Sequence, residues 1–563
     1  MRCLAALAIC LGLSWAGVGH AATLVATPET LVQQLKQFRS GDTLLLKPGI
    51  YRGTIDLRNR MAEPDAPSVI RGDVSGGGRV VLRGSDVLAD WRLVVPGIYV
   101  HDLEKEASQV FVNGHLLQQI GGTVFDGYPD NAQSAYRDLH PHDGGIWPGR
   151  KPVVAWQDMS AESFWYDRKN KRLYARTAED LRDQAVRVEA SQRERVLFLE
   201  NVQFMQVHDL DIEHANTSVT NRGGALVVWR SRDVSLRGIR ASWNDLTGIQ
   251  LAGERISLIG SEAMHNGQLG VSGFGSRITV QQVKSSYNNR RGFNKWWEAG
   301  GFKFIGFDDG ALRDSVVVDC QALFNRGDGI WLDWKNRNVQ VARNVSAYNT
   351  GFGIHYEASS AGVIEDNLIF GNGQRGVYLS SSRTTSVRHN LIVGNGGEGV
   401  VSVTERGRKD NQGRRLDSDT NRVEANVIGW NAGGAVYLSS DPGNVSDRNV
   451  FLGEGVASRF SVNYPSPLNL PVYGLAAWFQ RTGQDARSWW MNAPMPDVWA
   501  AYFKSRSTAK ATFLWRAFRL PAISRARRAL IRTALSAAMT SSSRNSTSRV
   551  LTRLANKNWP YCA

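Results

Sequence analysis

The chain has 563 residues, 67 Lys and Arg against 52 Asp and Glu, and a formal net charge of +15. That charge suggests a nucleic-acid partner, yet 13 Lys and Arg and no acid follow Asp497, so the body of the chain is nearly neutral and that partner is excluded. Four cysteines, two of them within the first ten residues, exclude a disulfide framework.

Residues 1–21, with Arg2, an apolar middle and a Gly19-His20-Ala21 end, read as a secretory signal peptide. A secreted or periplasmic location is therefore expected. No later stretch approaches the ~18 apolar residues of a spanning helix, so no membrane span is predicted. Residues 22–84 read as an N-terminal cap and first coils. Within them Thr27 is the expected N-cap and Pro28 the first residue of an amphipathic helix carrying Leu31, Leu35 and Phe38. From 85 to 190 the repeat described below is lost, and a β-rich insertion is expected, with a hairpin over Ser163–Arg176. Its loop Asp138-Leu139-His140-Pro141-His142-Asp143 is dense in binding groups. His142 is a candidate substrate contact, while a metal site is not expected, because the ligands crowd one extended loop. Residues 191–452 read as coils and 453–500 as a C-terminal cap with a terminal helix near Leu475. The basic segment 501–563 has the composition of a disordered tail or of sequence read out of frame after about 505.

The coils are predicted from one recurring phrase, Asn-x-x-x-Gly followed by alternating apolar residues. The Asn positions are 244, 266, 288, 325, 349, 372, 395 and 431, with Ala435 in the last glycine slot. Most steps lie near 23 residues, and two carry an insertion of about 13. Strands repeated at that period describe an all-β, right-handed parallel β-helix, in which each lap buries its apolar face against the next. An inward Asn column would satisfy corner backbone groups that water does not reach.

After the Gly, Ile330/Leu332, Ile354/Tyr356 and Val377/Leu379 should point inward, and Trp331/Asp333, His355/Glu357 and Tyr378/Ser380 outward. Asp333 and Glu357 are 24 residues apart, one lap, so their carboxyl groups should lie on the order of 5 Å apart. That suits a retaining glycosidase, one acid serving as nucleophile and its neighbour as acid/base. Trp331, His355 and Tyr378 would offer sugar-stacking surface. The insertion Gly292–Phe304 brings Trp296, Trp297, Glu298 and Lys303 to the same face. A second insertion, Thr404–Asp419, is rich in arginine and would favour acidic sugars.

The phrases WEAGGFKF (297–304), GDGIWLDWKN (327–336) and GIHYEAS (353–359) resemble the family 120 glycoside hydrolases, which are β-xylosidases with a parallel β-helix and an inserted β-rich region. The resemblance implies a polysaccharide or oligosaccharide substrate, Asp333 as nucleophile, Glu357 as acid/base, and Glu298 and Lys303 beside them, with no cofactor. The arginine-rich insertion has no counterpart in that pattern. Polysaccharide lyases and uronate C5-epimerases share the fold, and they would use Lys303, His355 or the 406–415 arginines, with Ca2+ where a carboxylate needs neutralising. A glycan-binding solenoid without catalysis is the third reading.

Overall fold

A computed structural model describes residues 21–120, 155–217, 223–293, 295–296, 298–306, 311–454, 459–463 and 471–495. The leader, the His140–His142–Asp143 loop, Trp297 and the basic tail lie outside the described residues. Two long sheets, of 24 and 13 strands, wind together as a parallel β-helix. Each lap holds three strands rather than the two read from the sequence. In one lap they are Asp328–Asp333, Arg337–Ala342 and Val345–Ala347. The apolar run Val339–Val345 is broken at Arg343, whose φ is 56°. The break exists because Asn344 turns inward there as part of a second ladder.

The expected Asn column is continuous. Each amide Nδ2 donates to the Oδ1 of the next lap from Asn244 to Asn431, for example Asn325 to Asn349 at 2.9 Å and Asn349 to Asn372 at 3.0 Å. Each also donates to a backbone carbonyl, as Asn349 does to Ala322 O (2.9 Å). The second ladder runs through Asn344, Asn367, Asn390, Asn426 and Asn449 in the same way. The glycines after the first column are explained by close approach. A Cβ on Gly353 would lie 2.9 Å from the Asn372 amide and 2.6 Å from Gly376 O. In the lap that begins at Asn288 the slot is filled by Gly301, not Gly292, because Gly301 abuts the Asn325 amide. The insertion therefore ends before residue 300, and 300–305 is a regular coil strand.

The strands that matter for the site are β1 (Gly300–Ile305), β2 (Asp328–Asp333), β3 (Ile354–Glu357), β4 (Val377–Ser380) and β5 (Glu398–Val403). They stack in parallel with two aligned columns, Lys303–Trp331–His355–Tyr378–Val401 and Ile305–Asp333–Glu357–Ser380–Val403. Ile330, Leu332, Ile354, Tyr356, Val377 and Leu379 fill the central core, which is continuous from Ala26 to Trp478. Burial of that core is the main stabilising term.

At the N-terminal side, α1 (Leu31–Gln37) puts Leu31 into the core beside Phe38. The residue that precedes it is Thr30. Thr27 is not the N-cap, because Pro28–Thr30 form a turn and not the first helical turn. At the other side, α2 (Leu475–Thr482) seats Trp478 on Phe460 with ring centroids 5.3 Å apart. Between these, the insertion forms sheets of four and five strands. It is pinned to the coils by Glu189, which takes ion pairs from Arg52 (2.7 Å) and Arg83 (3.3 Å).

Candidate active site

Asp333 and Glu357 are direct register partners on β2 and β3, so one lap does bring the two acids to neighbouring strands. Neither is a freely solvated surface charge. Their side chains are 12% and 14% exposed, and Lys295, Trp296 and residues 405–408 stand over the Glu357 side of this wall. A cleft of about 640 Å³ opens beside Glu357, bounded by Lys295 and Trp296 from one loop and Glu405, Arg406 and Arg408 from the other.

Each acid has its own cation. Lys303, almost fully buried, puts Nζ 3.2 Å from Asp333 Oδ2. Arg408 Nη1 lies 2.5 Å from Glu357 Oε1, and the Trp331 indole Nε1–H donates to Glu357 Oε2 at 2.9 Å. His355 stands between the acid clusters. Its Nδ1 bonds Asp328 Oδ2 at 3.0 Å, and Asp328 Oδ1 accepts the Phe352 N–H at 2.8 Å. A carboxylate only accepts, so Nδ1 carries a proton, and Nε2 lies 3.5 Å from Glu357 Oε2. That Nε2 is buried and has no hydrogen-bond partner.

Burial pushes the Asp333 carboxyl above its usual range, against the pull of Lys303, and the charge of Glu357 adds to the rise. Burial acts the same way on Glu357, but His355, Arg408 and Lys303 outweigh it and hold that carboxyl below its usual range. In the unliganded protein Asp333 is therefore the more readily protonated of the two acids.

The aromatic residues are arranged differently from the expectation. Lys303 Nζ sits 3.3 Å over the Trp331 ring. His355 stacks on its other neighbours, 5.0 Å from Trp331 and 4.8 Å from Tyr378 by ring centroids. Arg375 covers Tyr378 at 4.3 Å, and the Tyr378 hydroxyl donates to Glu405. Side chains one lap apart on a parallel stack meet face to face, so these rings spend their faces on one another. Trp331, His355 and Tyr378 thus offer a sugar only edges and polar atoms. The open aromatic surface at the cleft is Trp296, 50% exposed, which meets Phe352 edge-on at 5.7 Å. Glu298 is half-buried ahead of β1 and is not part of the cleft wall. Trp297 and His142 lie outside the described residues.

Three residues of the site were not singled out from the sequence: Asp328, Glu405 and Arg375. Asp328 occupies the residue before the Gly329 slot, where an outward acid breaks the apolar alternation. Arg408 was noted only as one charge of a basic loop.

A model of the right-handed β-helix region matches residues 224–395. No curated protein matches the chain. Among solved structures, XylC in complex with xylose superposes with a TM-score of 0.52 at 11% identity, over 74% of this chain and 79% of that one. A mannuronan C-5 epimerase A-module from Azotobacter vinelandii, AlgE4, is also similar, at 13% identity and a TM-score of 0.43, over 76% and 90% of the two chains. At these identities the likeness establishes the right-handed parallel β-helix and nothing finer.

Proposed function

We propose that this chain is an exported carbohydrate-active enzyme that cleaves a glycosidic bond with retention, Asp333 acting as nucleophile and Glu357 as acid/base. The observation that carries this reading is the register pairing of the two acids, of which Glu357 lines the cleft and Asp333 lies one strand behind it. Strand spacing puts such carboxyls on the order of 5 Å apart, the separation used for attack from one acid and protonation by the other.

The saccharide enters along the Trp296 edge of the cleft and displaces Arg408 from Glu357. With that guanidinium gone, burial favours a proton on Glu357, and the neutral Glu357 and the Lys303 charge together favour the ionised form of Asp333. Asp333 then attacks the anomeric carbon while Glu357 passes its proton to the leaving oxygen. In the second half, Glu357 takes a proton from water, and that water releases the sugar from Asp333. The test is a panel of aryl-xylosides and uronate polymers with wild type, Asp333→Ala and Glu357→Ala. Wild type should release a new reducing sugar, and both variants should lose that activity. No release from any substrate by wild type would sink the reading and favour a glycan-binding solenoid.

One arrangement favours a second reading, a uronate lyase or C5-epimerase. Asp328 orients His355 so that Nε2 faces the cleft side as a base, and Arg375 and Arg408 stand near enough to meet a carboxylate. Among the described residues no group of three or more His, Cys, Asp or Glu is placed to hold a metal ion, so Ca2+ has no fitting site there. An unsaturated, ultraviolet-absorbing end in the product, lost in His355→Ala, would establish this chemistry instead.

A further inference from the structure

A second cavity, of about 660 Å³, lies where the inserted region meets the coils, walled by Leu116–Gln119 on one side and Trp243, Arg290 and Arg291 on the other. The two arginines differ in one respect. Arg291 is paired with Asp245 and bonds the Gln119 side chain. Arg290 has no carboxylate against it among the described residues; its Nε donates to His265 O at 3.3 Å, and its Nη2 is sealed from water without a hydrogen-bond partner. The charge that reaches it, Arg326, is of the same sign, and burial holds its pKa down at about 10. A guanidinium carries five donors in a planar fork, and on this half-buried side chain the sealed Nη2, with no carboxylate to meet it among the described residues, is costly. A fold that keeps one there has a use for it.

The second observation is aromatic. Trp243 is 36% exposed and is the first rung of a stack that continues through His265 (4.6 Å) and Tyr287 (5.0 Å). Arg290 lies 5.4 Å over its ring. The exposed edge of that indole can border a sugar ring while the guanidinium, which faces no carboxylate among the described residues, takes its anionic substituent.

The cavity's position connects it with the cleft. Arg290 and Arg291 follow Asn288 by two and three residues, as Gln374 and Arg375 follow Asn372. Both pairs therefore occupy the same corner of the coil, three laps or about 15 Å apart at the strand spacing, and Gln374 and Arg375 line the cleft. We propose that the Arg290–Trp243 cavity is a distal subsite for the carboxylate of an acidic saccharide, whose chain runs along this corner from the Asp333–Glu357 cleft. This rests on the saccharide reading above for the class of ligand, and not on whether the cleft hydrolyses or eliminates.

The test is calorimetric binding of a uronic-acid tetrasaccharide and of neutral xylotetraose to full-length Asp333→Asn protein, alone and combined with Arg290→Met or Trp243→Leu. Arg290→Met should weaken uronate binding at least about tenfold, the loss of one charge-assisted pair, and leave xylotetraose unchanged. Its melting temperature should hold or rise, because an unpaired buried cation has been removed. Trp243→Leu should weaken both ligands. Uronate affinity unchanged by Arg290→Met overturns the subsite while leaving the saccharide reading intact, and equal weakening of both ligands with a lower melting temperature assigns Arg290 to structure alone. If neither oligosaccharide binds the Asp333→Asn protein, the saccharide reading falls with it.

Discussion

Two pairs of register partners on the same coils are built in opposite ways. On the second strand, Glu365 is the register partner of Arg388, with 2.9 Å between Oε2 and Nε, although two laps on Glu424 faces Asp447, each beside an arginine of its own (Arg422 and Arg487). At the turn that follows, Asp319 meets Arg343 at 2.7 Å in the same manner. Along the first strand, the same step sets Asp333 against Glu357. Like charges opposed on neighbouring strands destabilise a sheet, and here each acid has a cation of its own. The repeat thus supplies its own comparison, because equal geometry carries a Glu–Arg pair at one step and two buried acids at another.

The contrast can be broken most sharply at the acids. Asp333→Asn and Glu357→Gln should each lower turnover by at least about a thousandfold, the scale of losing a positioned catalytic proton donor or its partner. Glu365→Gln, in the Glu–Arg pair, should leave turnover within about twofold. A steady-state assay on the responsive substrate reads both. The ladder beneath the columns is next in size. Asn349→Ala strips five hydrogen bonds from a buried corner and should cost about 3 kcal/mol of unfolding free energy, measured by urea denaturation.

The cations sharpen the comparison further. Lys303 lowers the Asp333 pKa, the higher of the two, so Lys303→Met should move the alkaline limb of the kcat/KM profile to higher pH. Arg408 lowers the Glu357 pKa, the lower of the two, so Arg408→Met should move the acid limb upward. The same shift has a stability consequence. A depressed carboxyl contributes stability that is present above its unfolded pKa and is lost as pH falls through the folded one. The wild-type advantage in melting temperature over Arg408→Met should therefore shrink as pH is lowered below the usual glutamate range. The smallest effect belongs to the exposed pair: Arg388→Met should cost about 0.5 kcal/mol or less, diminishing with added salt.

How far the sequence carried the account follows from which features are periodic. The Asn-Gly phrase made the coil, its inward and outward sides and the Asp333–Glu357 pairing legible, since each repeats every lap. The second ladder was equally legible, with Asn344, Asn367, Asn390 and Asn426 each five residues before a member of the first. It went unread because the apolar runs around it look continuous. Gly292 misled the register: it stands four residues after Asn288 by accident of the insertion, and only contact with the Asn325 amide identifies Gly301 as the true slot. Arg408 and Glu405 had no periodic signal at all. They reach the acids from an irregular loop, and their distance from Glu357 along the chain says nothing about their distance in space. The stacking of Trp331, His355 and Tyr378 was implied by the columns themselves, since rings one lap apart must meet.

The most direct measurement is covalent trapping. Wild-type protein would be incubated with 2-deoxy-2-fluoro glycosides having a good leaving group, drawn from the sugars cleaved in the panel, then digested and analysed by peptide mass spectrometry. The account predicts one fluoroglycosyl adduct on Asp333, formed slowly in Glu357→Gln and absent in Asp333→Asn. An adduct on Glu357, or rapid turnover to an unsaturated product with no adduct anywhere, would contradict it.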